Sequence, residues 1–150
     1  ECVTENRNRT VADLRHILSK GGGDLASNGS VMWQFERKAV YSVKSDGHNF
    51  DKAFEAALEA GADDVTEEDG YIEIIGATET FKDIHDSLVA ARLHIEDAGL
   101  SMIPNQEVEL DFGDTISILK LINNLEDNDD VQNVYSNLKF SDEHVEALDS

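Results

Sequence analysis

Asp64-Val65-Thr66-Glu67-Glu68-Asp69-Gly70-Tyr71-Ile72-Glu73-Ile74-Ile75 reads as a hairpin. Two runs containing β-branched and aromatic residues flank an Asp-Gly pair. A two-residue hairpin turn needs positive φ at both central positions, and Asp-Gly tolerates it. On the N-terminal side, residues 50–60 predict a helix with Phe50, Phe54, Ala57 and Leu58 on one face, ended by Gly61. Before it, Ala39-Val40-Tyr41-Ser42-Val43 predicts a strand. On the C-terminal side, Thr78 or Thr80 caps a helix to about Ala91, with Phe81, Ile84, Leu88 and Ala91 facing inward. Residues 93–103 follow as a strand closed by Pro104. The order across residues 39–103 is β-α-β-β-α-β, the ferredoxin-like split βαβ arrangement.

The flanks repeat the order. Residues 1–4, 10–20 and 30–36 read β-α-β, and residues 107–111, 115–126 and 131–136 read β-α-β again. Ile116, Leu119, Ile122 and Leu125 recur at helical spacing, and Val131-Gln132-Asn133-Val134-Tyr135 alternates as a half-buried strand does. The expected fold class is therefore α+β, with two ferredoxin-like domains, one inserted into the other. Residues 1–38 plus 105–140 form the outer domain, its first strand truncated. Residues 39–104 form the inserted domain, and 141–150 an acidic tail.

Charge limits what each part can bind. The 150 residues carry a formal charge of −20. Residues 1–44 hold seven Lys or Arg against five Asp or Glu, whereas residues 45–150 hold five against 27. A field of that sign repels polyanions over a Debye length of about 8–10 Å. A phosphate-binding surface is thus expected only within the first 44 residues. No apolar run approaches the roughly 20 residues of a membrane-spanning helix, so no membrane partner is expected. The lone Cys2 excludes an internal disulfide framework and fits a reducing compartment.

Within those 44 residues, Glu5-Asn6-Arg7-Asn8-Arg9-Thr10-Val11-Ala12-Asp13-Leu14-Arg15-His16 carries a concentration of arginine. Thr10 reads as an N-cap with Asp13 three residues on. Val11, Leu14, Ile17 and Leu18 make one helical face, ended by Gly21-Gly22-Gly23. Asn6-Arg7-Asn8-Arg9 is then a polar turn ahead of a helix N-terminus, a combination suited to an anion. The same residues also suit a solvated turn or pairing with nearby acids. Arg7, Arg9, Arg15, Lys20, Arg37 and Lys38 are the candidate nucleic-acid contacts, acting on phosphates. Arg37-Lys38 reads as a charged break between strands. Trp33, Phe35 and Tyr41 have the chemistry of a base-stacking platform, but aromatics in strand-like runs are expected to pack in the core or across strands.

Other chemistry is weakly represented. Asp127-Asn128-Asp129-Asp130 starts like a calcium loop, yet Gln132 and Leu138 stand where glycine and glutamate belong. Asp63, Asp64, Glu67, Glu68 and Asp69 read as a charged hairpin edge. His16, His48, His85, His94 and His144 show no paired zinc spacing. Neither a phosphate-loop fingerprint nor a nucleophile beside a recognisable base is present. The expectation is a protein without catalytic residues, metal or cofactor.

Cys2-Val3-Thr4-Glu5-Asn6-Arg7-Asn8-Arg9-Thr10, Arg15-His16, Gly22-Gly23 and Gly29-Ser30-Val31 resemble the YebC-type family. So do Ala56-Ala57-Leu58-Glu59-Ala60-Gly61-Ala62-Asp63-Asp64-Val65, Ser101-Met102-Ile103-Pro104, and Leu125-Glu126-Asp127-Asn128-Asp129-Asp130-Val131-Gln132-Asn133-Val134-Tyr135. The matches run in family order over nearly the whole chain. Such proteins are described as probable transcriptional regulators, and a mitochondrial relative as a translational activator of cytochrome c oxidase subunit I. Family members carry a basic helical N-terminal domain that nothing here matches, so the chain is expected to be the C-terminal two-thirds of such a protein. The resemblance implies a nucleic-acid-associated regulator, acting on DNA or on rRNA and tRNA at the ribosome. It would work in the cytoplasm, or in the mitochondrial matrix for an organellar relative. The alternative from a different class is a small-molecule-sensing or protein-interaction module whose acidic face meets a basic protein.

Overall fold

The computed structural model describes residues 1–149. They form two compact units, residues 36–103 and residues 1–35 with 104–149. The fold is α+β, with a four-stranded antiparallel sheet.

The sheet belongs to the first of these units. Its elements are β1 (Phe35–Lys44), α2 (Phe50–Glu59), β2 (Asp64–Glu68), β3 (Tyr71–Ala77), α3 (Phe81–Ala90) and β4 (Ile95–Pro104), with α1 assigned below to Arg7–Lys20. Strand order is β2-β3-β1-β4. Each strand follows the split βαβ path, with β3 inserted between β1 and β2. Asp69 and Gly70 take φ of 53° and 82°, which closes β2 onto β3 and sets Glu68 opposite Tyr71. Val43 then faces Ile72, and Tyr41 faces Ile74. Alternation sends Ala39, Tyr41, Val43, Ile72 and Ile74 to one side of the sheet. There they meet Ala53, Ala56 and Ala57 of α2, Ile84 and Leu88 of α3, and Leu93. Tyr41 has its ring 5.0 Å from that of Phe81, and its hydroxyl donates to the Phe81 carbonyl at 2.8 Å. The buried Tyr41 is therefore a core residue and not part of a stacking platform.

Two expectations for this unit are corrected. Arg37-Lys38 is not a break, because both residues lie inside β1. The inward face of α2 is its alanines. Phe54 and Leu58 are exposed, while Phe50 packs at the edge of the core. The small alanine side chains let α2 lie close to the sheet, and the bulkier residues turn away.

The other unit contains α1, α4 (Phe112–Glu126) and α5 (Asp142–Asp149). Leu119 and Thr115 of α4 are buried, and Ile116, Ile122 and Leu125 are half-buried. The segments expected to be strands meet through isolated bridges, Cys2 antiparallel to Val131 and Val108 parallel to Leu138. Val3 N–H donates to the Asp130 carbonyl and Gln132 N–H to that of Glu1, both at 2.8 Å. Residues 131–138 thus divide their pairing between two partners of opposite sense, which keeps each ladder short. Residues 32–34 form a 3₁₀ turn where a strand was expected. The acidic tail is the helix α5, packed against α4. Its His144 ring stacks on Phe112 at 5.0 Å.

Candidate nucleic-acid interface

Helix α1 starts at Arg7, three residues before the expected start. Asn6 is its N-cap, and the Asn6 side chain accepts the Arg9 N–H at 3.1 Å. Arg7 and Arg9 therefore stand in the first helical turn, not in a preceding loop, and Asp13 lies mid-helix. Replacing Asn6 with alanine is expected to lower stability by about 1 kcal/mol, the usual value of such a cap. The shift in denaturation midpoint measures it. The far end closes as a Schellman motif. Gly22, at φ 85°, donates to Ser19, and Gly23 donates to Leu18 at 2.8 Å. A Cβ at Gly21 would sit 2.7 Å from Leu121 Cδ1, so α1 approaches α4 closely there.

Thr10 has a different task from capping. It is 3% exposed, and its hydroxyl donates to Asp130 Oδ2 at 2.7 Å. The Thr4 and Thr10 hydroxyl oxygens are 2.7 Å apart, and Arg9 Nη2 reaches the same Asp130 oxygen at 3.3 Å. The Thr10 bond, with smaller help from Arg9 and Thr4, holds the Asp130 carboxyl below its usual pKa despite some opposition from desolvation. The carboxylate is thus charged and fastens the start of α1 to the segment after α4. This hub was not legible in the sequence. Nothing in a run of acids marks the one that faces a threonine 120 positions earlier.

The six candidate cations are unequally available. Arg7, Arg9, Arg15 and Lys20 share α1, and Arg37 and Lys38 are neighbours on β1. Arg9 is partly committed to Asp130, with its side chain 57% exposed. Lys38 is committed to Asp63 at 3.0 Å and Glu36 at 3.5 Å. The Asp63 hydrogen bond is the main reason its pKa lies above the ordinary lysine value, although burial opposes it. Arg7, Arg15, Lys20 and Arg37 are exposed and make no ion pair among the described residues. At about 100° per residue, Arg15 and Lys20 fall roughly 140° apart around α1. The helix therefore offers cations on two flanks, and Lys20 also complements the dipole at its C-terminal end. Among the described residues, no group of three or more His, Cys, Asp or Glu gathers as a metal site would. Among the same residues, no helix is long and apolar enough to cross a membrane.

Residues 1–138 match the family profile described as the TACO1/YebC second and third domain. The chain belongs to the TACO1/YebC family. It is 50% identical over 149 residues to a probable transcriptional regulatory protein of Photorhabdus laumondii, covering 99% of this chain and 60% of that one. It is 48% identical over 150 residues to a probable transcriptional regulatory protein of Bifidobacterium longum subsp. infantis, covering 99% and 59%. Among solved structures, a conserved hypothetical protein from Aquifex aeolicus superposes with a TM-score of 0.82 at 33% identity. That likeness covers 92% of this chain and 57% of that one. The TACO1/YebC chain described here thus spans about three-fifths of the length of its curated relatives. Its two quoted family stretches around Thr10 and Asp130 are the ones that the hydroxyl–carboxylate hub joins.

Proposed function

We propose that this chain is part of a regulator of gene expression that works by non-catalytic binding to nucleic acid. Its phosphate contacts are Arg7, Arg15, Lys20 and Arg37, with Arg9 and Lys38 in secondary roles because acids already engage them. One observation carries the reading. In a chain of net charge −20, exposed cations that make no ion pair among the described residues stand on α1, whose start is capped and whose end is a Schellman motif. The names of the relatives, probable transcriptional regulatory proteins, favour a regulatory role. The acidic surface of residues 45–150 favours a second arm, in which a basic protein of a ribonucleoprotein is met beside rRNA or tRNA. Partial burial raises the pKa of Glu73 on that surface, with smaller contributions from the nearby Asp64 and Glu68.

The full-length protein with Arg7, Arg15, Lys20 and Arg37 changed to glutamine tests the reading. Each lost phosphate contact removes about 0.9 from the salt slope on duplex DNA and about 0.7 on single strands. The slope is expected to fall by roughly 3 to 4, measured by fluorescence anisotropy across a salt series. Unchanged affinity and slope on DNA and RNA alike would overturn the assignment. Sedimentation with ribosomes after nuclease trimming of messenger RNA separates the translational arm from recovery of promoter DNA.

A further inference from the structure

Trp33 was expected in a strand, packed away. It is instead 74% exposed, with Val31 and Met32 exposed beside it. An exposed indole would ordinarily swing freely, but this one is held at both ends. Its Nε1–H donates to the Ser30 carbonyl at 2.8 Å. Its own carbonyl accepts from Asn105 Nδ2 at 3.3 Å, and the next carbonyl, that of Gln34, accepts the Asn105 N–H at 2.8 Å. The local chain builds the mount. Ser30 N–H closes a turn onto Ser27 at 3.1 Å, with Gly29 at φ 76°, and the 3₁₀ turn Met32–Gln34 follows. The stretch from Leu25 to Phe35 contains no charged residue, although the chain is 29% charged.

We propose that Trp33 is a stacking contact for one unpaired base of a single-stranded nucleic acid. The inference rests on the nucleic-acid reading above and adds a residue and a strand state to it. A flat π face held open to solvent is what a base requires, and the ordering entropy of the ring is already spent. The absence of carboxylates from Leu25 to Phe35 matters because the phosphates on either side of a stacked base would be repelled by them. Val31 and Met32 are exposed apolar neighbours of the ring, but the indole, fixed by a hydrogen bond to its own loop, supplies the flat face on which a base stacks.

Trp33 is the only tryptophan of the chain, so its emission reports the contact directly. The 150-residue chain is titrated at low salt with short fluorescein-labelled oligouridine and oligothymidine, reading anisotropy of the label. Unlabelled oligonucleotides are used for the indole emission. Binding is expected to quench Trp33. W33A is expected to weaken binding roughly 5- to 150-fold, the range for losing one base–aromatic stack, and W33F to weaken it less because it keeps a π face. Binding with undisturbed emission and unchanged W33A affinity would overturn the inference and leave the nucleic-acid reading standing. Absence of all binding, together with an unchanged salt slope for the full-length glutamine variant, would overturn both. Loss of a protein contact in W33A, with oligonucleotide affinity intact, would overturn the stacking inference alone.

Discussion

Ile84→Ala is expected to destabilise the sheet-containing unit by roughly 3–5 kcal/mol, the upper part of the range for a buried isoleucine truncated to alanine. Ile84 is fully buried between α3 and the sheet. Its Cδ1 lies 2.7 Å from where a Cβ at Gly76 would stand. Gly76 pairs with Ala39 across the strands, so the side chain rests on a patch of sheet that carries almost no side chain. Once Ile84 is cut back, neither Gly76 nor Ala39 can reach into the space, and the cavity persists. The lost contacts and the cavity then add. The same geometry predicts a coupling. Gly76→Ala alone must displace Ile84 Cδ1 and Thr80 Oγ1, which lie 2.7 and 2.8 Å from the added methyl. In the Ile84→Ala background only the Thr80 conflict is left, so Gly76→Ala costs less there than in the native chain. Urea denaturation followed by circular dichroism over the four variants measures the non-additivity. Strict additivity would mean that helix and strand move apart to relieve the clash.

The hairpin was legible because its chemistry is local. Asp69-Gly70 supplies two positive-φ residues in a row, and Ile72 and Ile74 alternate with more exposed neighbours. The α3 face was legible for a similar reason, since Ile84 and Leu88 recur at helical spacing and are buried. The α2 face was not. Periodicity ranks Phe54 and Leu58 above alanine, yet the approach of helix to sheet selects small residues, and that distance is a property of the assembled fold. Trp33 failed for a related reason. An apolar run reads as a strand whether or not a partner strand exists, and here a turn at Ser27–Ser30 and a 3₁₀ turn consume it.

Candidate cations were legible as residues but not as free groups. Sequence puts Arg15 and Lys20 on a helix and Arg7 and Arg9 in a turn ahead of it, whereas all four stand on α1. It does not tell that Arg9 meets Asp130, or that Lys38 meets Asp63. Those partners lie 121 and 25 positions away. The helix start was missed because two good caps compete within five residues. Asn6 takes the cap, while Thr10 is drawn into the interior by a carboxylate at the other end of the unit.

Thr10→Val is the second large effect, expected to cost roughly 0.5–1.5 kcal/mol at neutral pH, the net range for one lost hydrogen bond, because Thr4 and Arg9 still contact the Asp130 carboxylate. Valine keeps the shape of threonine, so the change isolates the hydroxyl. The cost is expected to depend on pH in a definite direction. The Thr10 hydroxyl is the largest of the influences that lower the Asp130 pKa from its ordinary 3.8. A carboxylate whose folded pKa is depressed contributes stability that is fully present above the unfolded value and is lost as pH falls through the folded value. The stability difference between native chain and variant should therefore be flat above about pH 5 and shrink below about pH 4. The difference must be taken, because the chain carries 32 acidic side chains and acidification relieves their mutual repulsion in both proteins. Parallel denaturation series at stepped pH give it. A gap that stayed constant into acid would mean that the Thr10 hydroxyl gives its one proton to the Asn6 carbonyl, 3.2 Å away, instead of to Asp130, or acts through packing. The carboxylate would then be a neighbour of the helix start and not what fastens it.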